Sequence, residues 1–301
     1  MKVLIAGATG LIGQELVRQC AEEGIAVNYL TTRKEKIVRQ ASFNGFYWNP
    51  SSGELDQEAF DGVNAIVNLA GATVANRWTK SYKKQIMDSR VMTARLIRES
   101  LSKSEHSVTH YVSSSGISYY PDSLEQEYQE SFNIPADTFL GDVTVQWEKA
   151  ALQMEEIGIV VSLVRTGLVL ASDQGALPQM ASPVRKGFGA ALGSGKQWQS
   201  WIHLHDIAGI YLYLMQNQLT GVFNGVAPNP VSNEELTKQI ATVLDKKIWL
   251  PAVPAFVLRL MLGEMAALVL EGQRVSCEKI CQAGYQFKFK DVGLALEDLL
   301  T

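Results

Sequence analysis

Apolar positions along the chain follow two different spacings. Short, largely β-branched apolar runs at 3–6, 25–31, 65–70, 110–114 and 159–165 alternate with longer stretches at 11–23, 82–102 and 138–156, where apolar residues recur with helical period. A run that is apolar throughout suits a strand covered by helices on both faces, and the longer period suits an amphipathic helix. Strands alternating with helices predict βαβ units. The expected fold class is therefore α/β, a Rossmann doubly wound parallel sheet of at least five strands.

Beyond Arg165 the character changes, because Gly175, Pro178, Pro183, Gly187, Gly189, Gly193 and Gly195 interrupt the pattern. This region reads as a loop-rich excursion. A helical pattern returns at 201–216, a strand at 221–227, and helices at 232–244, 254–262 and 292–300; Ser232 followed by Glu235 reads as a capping box. The expected organisation is a nucleotide-binding Rossmann domain over 1–165, to which 200–227 returns, and a smaller C-terminal α/β lobe over 166–199 and 228–301.

Bulk properties narrow the partners. The 301 residues, 47% hydrophobic, can bury a full core. With 27 basic against 31 acidic residues the net charge is -4, which offers no field for a polyanion, so nucleic acid is not an expected partner. Cys20, Cys277 and Cys281 form neither a disulfide framework nor a zinc set, and no metal is expected. The first strand opens at Lys2, leaving no room for a charged leader and an apolar segment, so a cytoplasmic location is expected. The apolar stretch 255–270 is broken by Arg259 and Glu264 and is shorter than the about 20 residues that span a bilayer; it reads as a buried or interface helix, not a membrane segment. The pattern marks no dimer helix and leaves the oligomeric state open.

The first strand runs straight into Gly7-Ala8-Thr9-Gly10-Leu11-Ile12-Gly13. In a dinucleotide fold the first glycine makes the turn, the second lets backbone approach a pyrophosphate, and the third lets helix and strand pack closely. The anion would then sit against the free N–H groups that open the helix at Leu11, where the helix dipole favours negative charge. The second strand ends Thr31-Thr32-Arg33-Lys34, without the acid that usually holds the ribose 2′-hydroxyl of NAD. Arg33 offers a planar fork of donors for a 2′-phosphate, Thr32 a hydroxyl and Lys34 a point charge, which points to NADP(H).

The glycine turn, Asn68-Leu69-Ala70-Gly71 at the end of the 65–70 run and Ser113-Ser114-Ser115 after the 110–114 run resemble the extended short-chain dehydrogenase/reductase superfamily. Arg77-Trp78-Thr79, Ser89-Arg90-Val91, Trp147-Glu148, Arg165-Thr166-Gly167, Gly193-Ser194-Gly195, Trp201-Ile202-His203 and Glu271-Gly272-Gln273-Arg274 narrow the resemblance, essentially end to end, to its atypical epimerase family proteins with a short C-terminal domain. That resemblance implies that Thr32 and Arg33 contact the adenosine 2′-phosphate and that Leu69, Ala70 and Gly71 line the adenine–ribose side. Gln85 and Arg90 would approach from the other flank, and Arg165 would lie beside the nicotinamide end. For Arg90 and Arg165 a structural ion pair is the competing role.

One departure concerns chemistry. The superfamily uses a serine to orient substrate and a tyrosine as acid/base, with a lysine four residues on that makes the phenolate accessible near neutrality. With Glu148 matched to the glutamate closing that helix motif, Leu140 and Thr144 stand at the tyrosine and lysine positions. No other tyrosine of the region supplies the pair, since Tyr119, Tyr120 and Tyr128 are followed four residues later by Ser123, Leu124 and Phe132. Ser115 occupies the serine position; Tyr119 and Tyr120 either donate a proton in place of the missing tyrosine, helped by Arg165 or Arg77, or only wall the pocket. His203 and His205 are further acid/base candidates, although the run from Trp201 to Asp206 resembles a structural strand-to-helix junction of the superfamily. Residues 187–198 would form a flap over the substrate cleft, with Lys196, Gln197 and Trp198 toward a ligand. Two functions follow: an epimerase-like, NADP(H)-dependent oxidoreductase acting on an unknown small carbonyl or sugar-type substrate, or a non-catalytic NADP(H)-binding or redox-sensing protein.

Overall fold

The computed structural model describes residues 1–301. Its centre is seven parallel strands: β1 (Lys2–Ala6), β2 (Ala26–Thr31), β3 (Phe43–Asn49), β4 (Ala65–Asn68), β5 (His110–Gly116), β6 (Val160–Thr166) and β7 (Gly221–Gly225). They lie in the order β3-β2-β1-β4-β5-β6-β7. The order reverses between β1 and β4, where a doubly wound sheet opens a crevice at the carboxyl ends of its strands. Two-residue strands, Arg39–Gln40 and Glu54–Leu55, run antiparallel to β3.

The longer helices are α1 (Leu11–Glu22), α2 (Lys80–Leu101), α3 (Phe139–Leu152), α4 (Ala176–Arg185), α5 (Leu204–Gln216), α6 (Asn233–Val243), α7 (Ala255–Leu262) and α8 (Val292–Leu300). Successive residues of β1 serve opposite faces, as strand geometry requires. Val3 and Ile5 join Leu16 of α1 and Ile207 and Tyr211 of α5 in one core. Leu4 and Ala6 join Ile97 and Leu101 of α2 and Ala151 of α3 in the other. A third core gathers Leu177 and Ala181 of α4, Leu236 and Ile240 of α6 and Leu296 of α8.

Three expectations fail in detail. The 166–199 excursion is not all loop, since Leu168–Leu170 pairs in parallel with Trp201–His203 and α4 follows. Pro178 falls in the first turn of α4, where an N–H has no helical partner anyway, and burial of Leu177, Ala181 and Val184 carries the helix past Pro183. The helix expected over 201–216 begins only at Leu204. The 255–270 stretch is neither one helix nor buried: α7 stops at Gly263, whose φ of +60° leaves the helical region, and a 3₁₀ turn and the short helix Ala267–Leu270 follow. Phe256, Leu260 and Met261 face outward, with only Leu258 of α7 buried. No helix is long and apolar enough to cross a membrane.

Candidate functional site

The crevice at the strand reversal is built from backbone. Gly7 takes φ +88°, and a Cβ there would stand 2.9 Å from the Leu69 carbonyl carbon. A Cβ on Gly13 would stand 2.2 Å from the Gly7 oxygen. Turn, β4 and α1 therefore approach one another at distances that no side chain permits. The Gly10 N–H donates to the Gly7 oxygen at 2.9 Å and Gln14 Nε2 to the Thr9 oxygen at 2.9 Å, which holds the turn. Gly10 caps α1 with no side chain, leaving the amides of Leu11, Ile12 and Gly13 open at the positive end of the helix dipole. This cradle fits a pyrophosphate.

A cleft of about 740 Å³ runs from the turn across the ends of β2, β3 and β4. It brings together Gly7, Thr9, Gly10, Thr32, Arg33, Leu69, Ala70, Gly71 and Gln85. The Arg33 guanidinium is exposed and no carboxylate pairs with it, while the Arg33 N–H donates to Thr31 Oγ1 at 3.2 Å and fixes the strand end. The one acid in the wall, Asp88, is bound by Lys84. Lys36, Trp48, Asn49, Pro50 and Ser51 complete the wall. The sequence pattern did not single them out because β3 had not been delimited; the carboxyl end of that strand is the signal that finds them. Lys34 is not a wall residue, and its ammonium sits 4.8 Å from the Tyr47 ring centre.

A second cleft, about 590 Å³, adjoins the first beyond β4 and β5. Leu140 and Thr144 of α3 both line it, and Thr144 Oγ1 donates to the Leu140 oxygen at 2.8 Å. Arg90 lines it too. Its Nη1 donates to the backbone oxygens of Ala72 and Ile86 at 3.1 and 3.0 Å, and its guanidinium lies 4.8 Å from the Trp147 ring centre. Arg90 makes no ion pair, and burial pulls it down to about 10.

Ser115 and Tyr120 also line this cleft, and behind its wall they join a buried polar network. Ser115 Oγ donates to Glu148 Oε1 at 2.6 Å, and Arg165 grips both oxygens of the same carboxylate at 2.8 and 2.9 Å. Arg165 Nη1 donates to the Tyr120 hydroxyl at 3.1 Å, which in turn donates to Asn224 Oδ1 at 2.8 Å. The guanidinium packs 3.4 Å from the Tyr119 ring centre. Burial opposes the charge on Arg165, but its bonds to Glu148 overcome that and raise its pKa. Burial also raises Tyr120, a pull that Arg165 offsets only in part. Sequence reasoning set Ser115, Tyr119 and Tyr120 at the reacting end and Arg165 beside the cofactor. The fold brings these four together, but Ser115 and Tyr120 spend their hydroxyl protons on interior acceptors, and Arg165 is committed to Glu148.

Other candidates lie outside the site. His203 caps α5, its Nδ1 accepting from the His205 N–H at 3.0 Å, and its ring stacks on Phe289. Lys196 is exposed and Gln197 is buried, donating to the Leu192 and Val269 oxygens; of these flap residues only Trp198 enters the cleft wall. The same wall holds Asp122, Gln199, Glu264, Glu271 and Gln273, a polar group that the sequence pattern does not bring together. Glu271 and Gln273 stand in a motif that marked the resemblance, but nothing in their spacing brings them to Trp198.

A reversed parallel sheet with a glycine cradle at its switch point and a second cleft beside it defines a Rossmann-type nucleotide-binding protein. The chain belongs to the NAD dependent epimerase/dehydratase family, which residues 3–224 match, and residues 253–299 match a domain of unknown function, DUF1731. It is 34% identical to an epimerase family protein of Staphylococcus aureus over 99% of this chain and 98% of that protein. The crystal structure of human epimerase family protein SDR39U1 (isoform 2) with NADPH superposes with a TM-score of 0.87 at 31% identity, covering 99% of each chain. A nucleoside-diphosphate sugar epimerase from Corynebacterium glutamicum superposes with a TM-score of 0.79 at 27% identity, covering all of this chain and 58% of that one.

Proposed function

We propose that the chain is an NADP(H)-dependent, epimerase-like oxidoreductase that holds its cofactor in the cleft beneath the glycine turn and converts a small carbonyl or sugar-type compound in the adjoining cleft. The observation that carries the cofactor is the end of β2, where Arg33 stands unpaired in the wall of the cleft and no free carboxylate competes for the ribose. A 2′-phosphate satisfies that guanidinium bidentately, as a ribose hydroxyl cannot. The human relative with NADPH supports the same reading. Bound there, the cofactor supplies hydride chemistry; the protein's part is to orient it, fix the substrate against it and exclude water.

A second reading, a non-catalytic NADP(H)-binding or redox-sensing protein, is favoured by one observation. Leu140 and Thr144 lie in the cleft wall without a titratable group, while the hydroxyls of Ser115 and Tyr120 are occupied inside. Titration calorimetry with NADPH and NADH, followed by absorbance at the nicotinamide band over a carbonyl panel, tests both readings. Arg33→Ala should weaken NADPH by about ten- to a hundredfold, the worth of one charge-assisted bidentate contact, and leave NADH nearly unchanged. Equal losses for both would remove the 2′-phosphate assignment. Tight NADPH binding without oxidation across the panel would favour the non-catalytic reading.

A further inference from the structure

One cation at the second cleft stands apart from its neighbours. Lys83, against the Phe139 ring, is bound to Glu264; Arg274, against the Trp198 ring, pairs with Glu127 at 3.3 Å; and Arg259 acts on Glu271. Arg90 is the one Lys or Arg of the wall itself, and no carboxylate pairs with it. Burial works against its charge, and only Tyr82 acts in its favour.

The shape of the guanidinium decides what it can still bind. Its five N–H groups lie in one plane, with Nη1 on the side of Cδ and with Nε and Nη2 along the opposite edge. Nη1 is spent on the Ala72 and Ile86 oxygens, at 3.1 and 3.0 Å. That side also faces the partition between the clefts, since a Cβ on Gly71 would come within 3.3 Å of Nη1 and 3.4 Å of Cγ. Nε and Nη2 find no acceptor in the protein, yet neither is sealed from solvent. Arg165 shows what this edge does when an acid is present: the same two atoms grip the Glu148 carboxylate at 2.8 and 2.9 Å.

A second donor beside Arg90 is also without a partner. The Trp147 ring, 4.8 Å from the guanidinium carbon, belongs to none of the three cores and lines the cleft, and its Nε1 is buried with no acceptor. Two adjacent donor groups therefore lack an oxygen that the chain itself could supply, and a partly desolvated guanidinium is best satisfied by an anion.

We propose that the substrate of the second cleft carries a carboxylate, held bidentately by Nε and Nη2 of Arg90. This rests on the reading of that cleft as the substrate site and narrows the small carbonyl or sugar-type compound to an oxo acid or a sugar acid.

Calorimetry on the full chain tests the proposal with acids and their uncharged amides: pyruvate and pyruvamide, benzoylformate and benzoylformamide, glucuronate and glucuronamide. Each is titrated with and without NADPH, and NADPH alone in parallel. In at least one pair the acid should bind about ten- to a hundredfold more tightly than the amide, the worth of one charge-assisted bidentate contact, and the pair that shows it separates oxo acid from sugar acid. Equal affinities within every pair, or no binding by any acid, would overturn the proposal without recourse to a variant. In Arg90→Gln the acid-to-amide ratio should fall to near one, and in Arg90→Lys, which keeps the charge and loses the fork, it should fall severalfold. A ratio unchanged in both variants would place the carboxylate elsewhere. A preference that vanishes once NADPH is bound would give the edge to the cofactor and equally overturn the proposal. Glucose 6-phosphate against glucose is the remaining arm: a larger gain there than for glucuronate over glucuronamide would make the anion a phosphate. Failure of NADPH to bind, with the acid preference intact, would count against the cofactor reading alone.

Discussion

At the scale of single residues, the buried pair of Glu148 and Arg165 has the sharpest energetic consequence. Both are nearly withdrawn from solvent, and each satisfies the other twice over. Removing one partner leaves a charge without compensation, whereas replacing both with apolar groups removes the problem along with the bond. Arg165→Met alone should therefore cost about 3 to 5 kcal/mol, and Arg165→Met combined with Glu148→Leu distinctly less. Urea unfolding of the two variants measures this, and a double variant no more stable than the single would mean that the pair is not coupled. The same pair explains why the site was only partly legible. The residue types in Ser115, Tyr120 and Arg165 suggest chemistry, and they do meet in space, but the carboxylate that turns them inward sits on α3, at a position read only as a motif marker.

At the scale of elements, the start of β5 holds a titration hidden inside the sheet. His110 Nε2 lies 2.7 Å from Ser162 Oγ on β6, and that hydroxyl donates to the Leu219 oxygen just before β7, so one chain of bonds ties two strands to the turn that enters a third. Nδ1 is buried without a partner. Burial lowers His110 from 6.5 to about 4. Between those values the unfolded chain takes up a proton that the folded one refuses, so the stability present above pH 6.5 drains away as pH falls and levels off near pH 4. The loss attributable to this one residue is on the order of 2 to 3 kcal/mol. Urea midpoints from pH 7 to 4 check it: His110→Gln should start lower and lose less, and parallel curves would assign the acid sensitivity elsewhere. Strands of this kind were the most readable part of the chain, because a run apolar on both faces has few other uses. Helix α4 and the 255–270 stretch were misread for opposite reasons. Prolines and glycines concealed a helix that burial of three side chains sustains, and an apolar run implied burial where Gly263 turns the chain along the surface.

At the scale of the whole molecule, the C-terminal residues are held to the Rossmann sheet by a few buried acceptors. Asp206 of α5 accepts from the N–H groups of Lys288 and Phe289 at 2.8 and 2.9 Å, and Ser200 Oγ donates to the Gln273 oxygen at 2.7 Å while accepting from the Val275 N–H at 3.0 Å. Asp206→Ala strands the buried Phe289 amide and the part-buried Lys288 amide and should cost about 1 to 3 kcal/mol. Hydrogen exchange at Lys288 and Phe289 should quicken in that variant, and unchanged protection there would show the tail to be held by other contacts. Arg90 links the two halves of the site in a different way. It lines one cleft, and its guanidinium braces Gly71 and Ala72, which line the other; a Cβ on Gly71 would come within 3.2 Å of it. Occupants of the two clefts thus lean on opposite sides of one partition. Whatever factor the first ligand changes in the affinity of the second, the second must return to the first, so the order in which they arrive carries no thermodynamic preference.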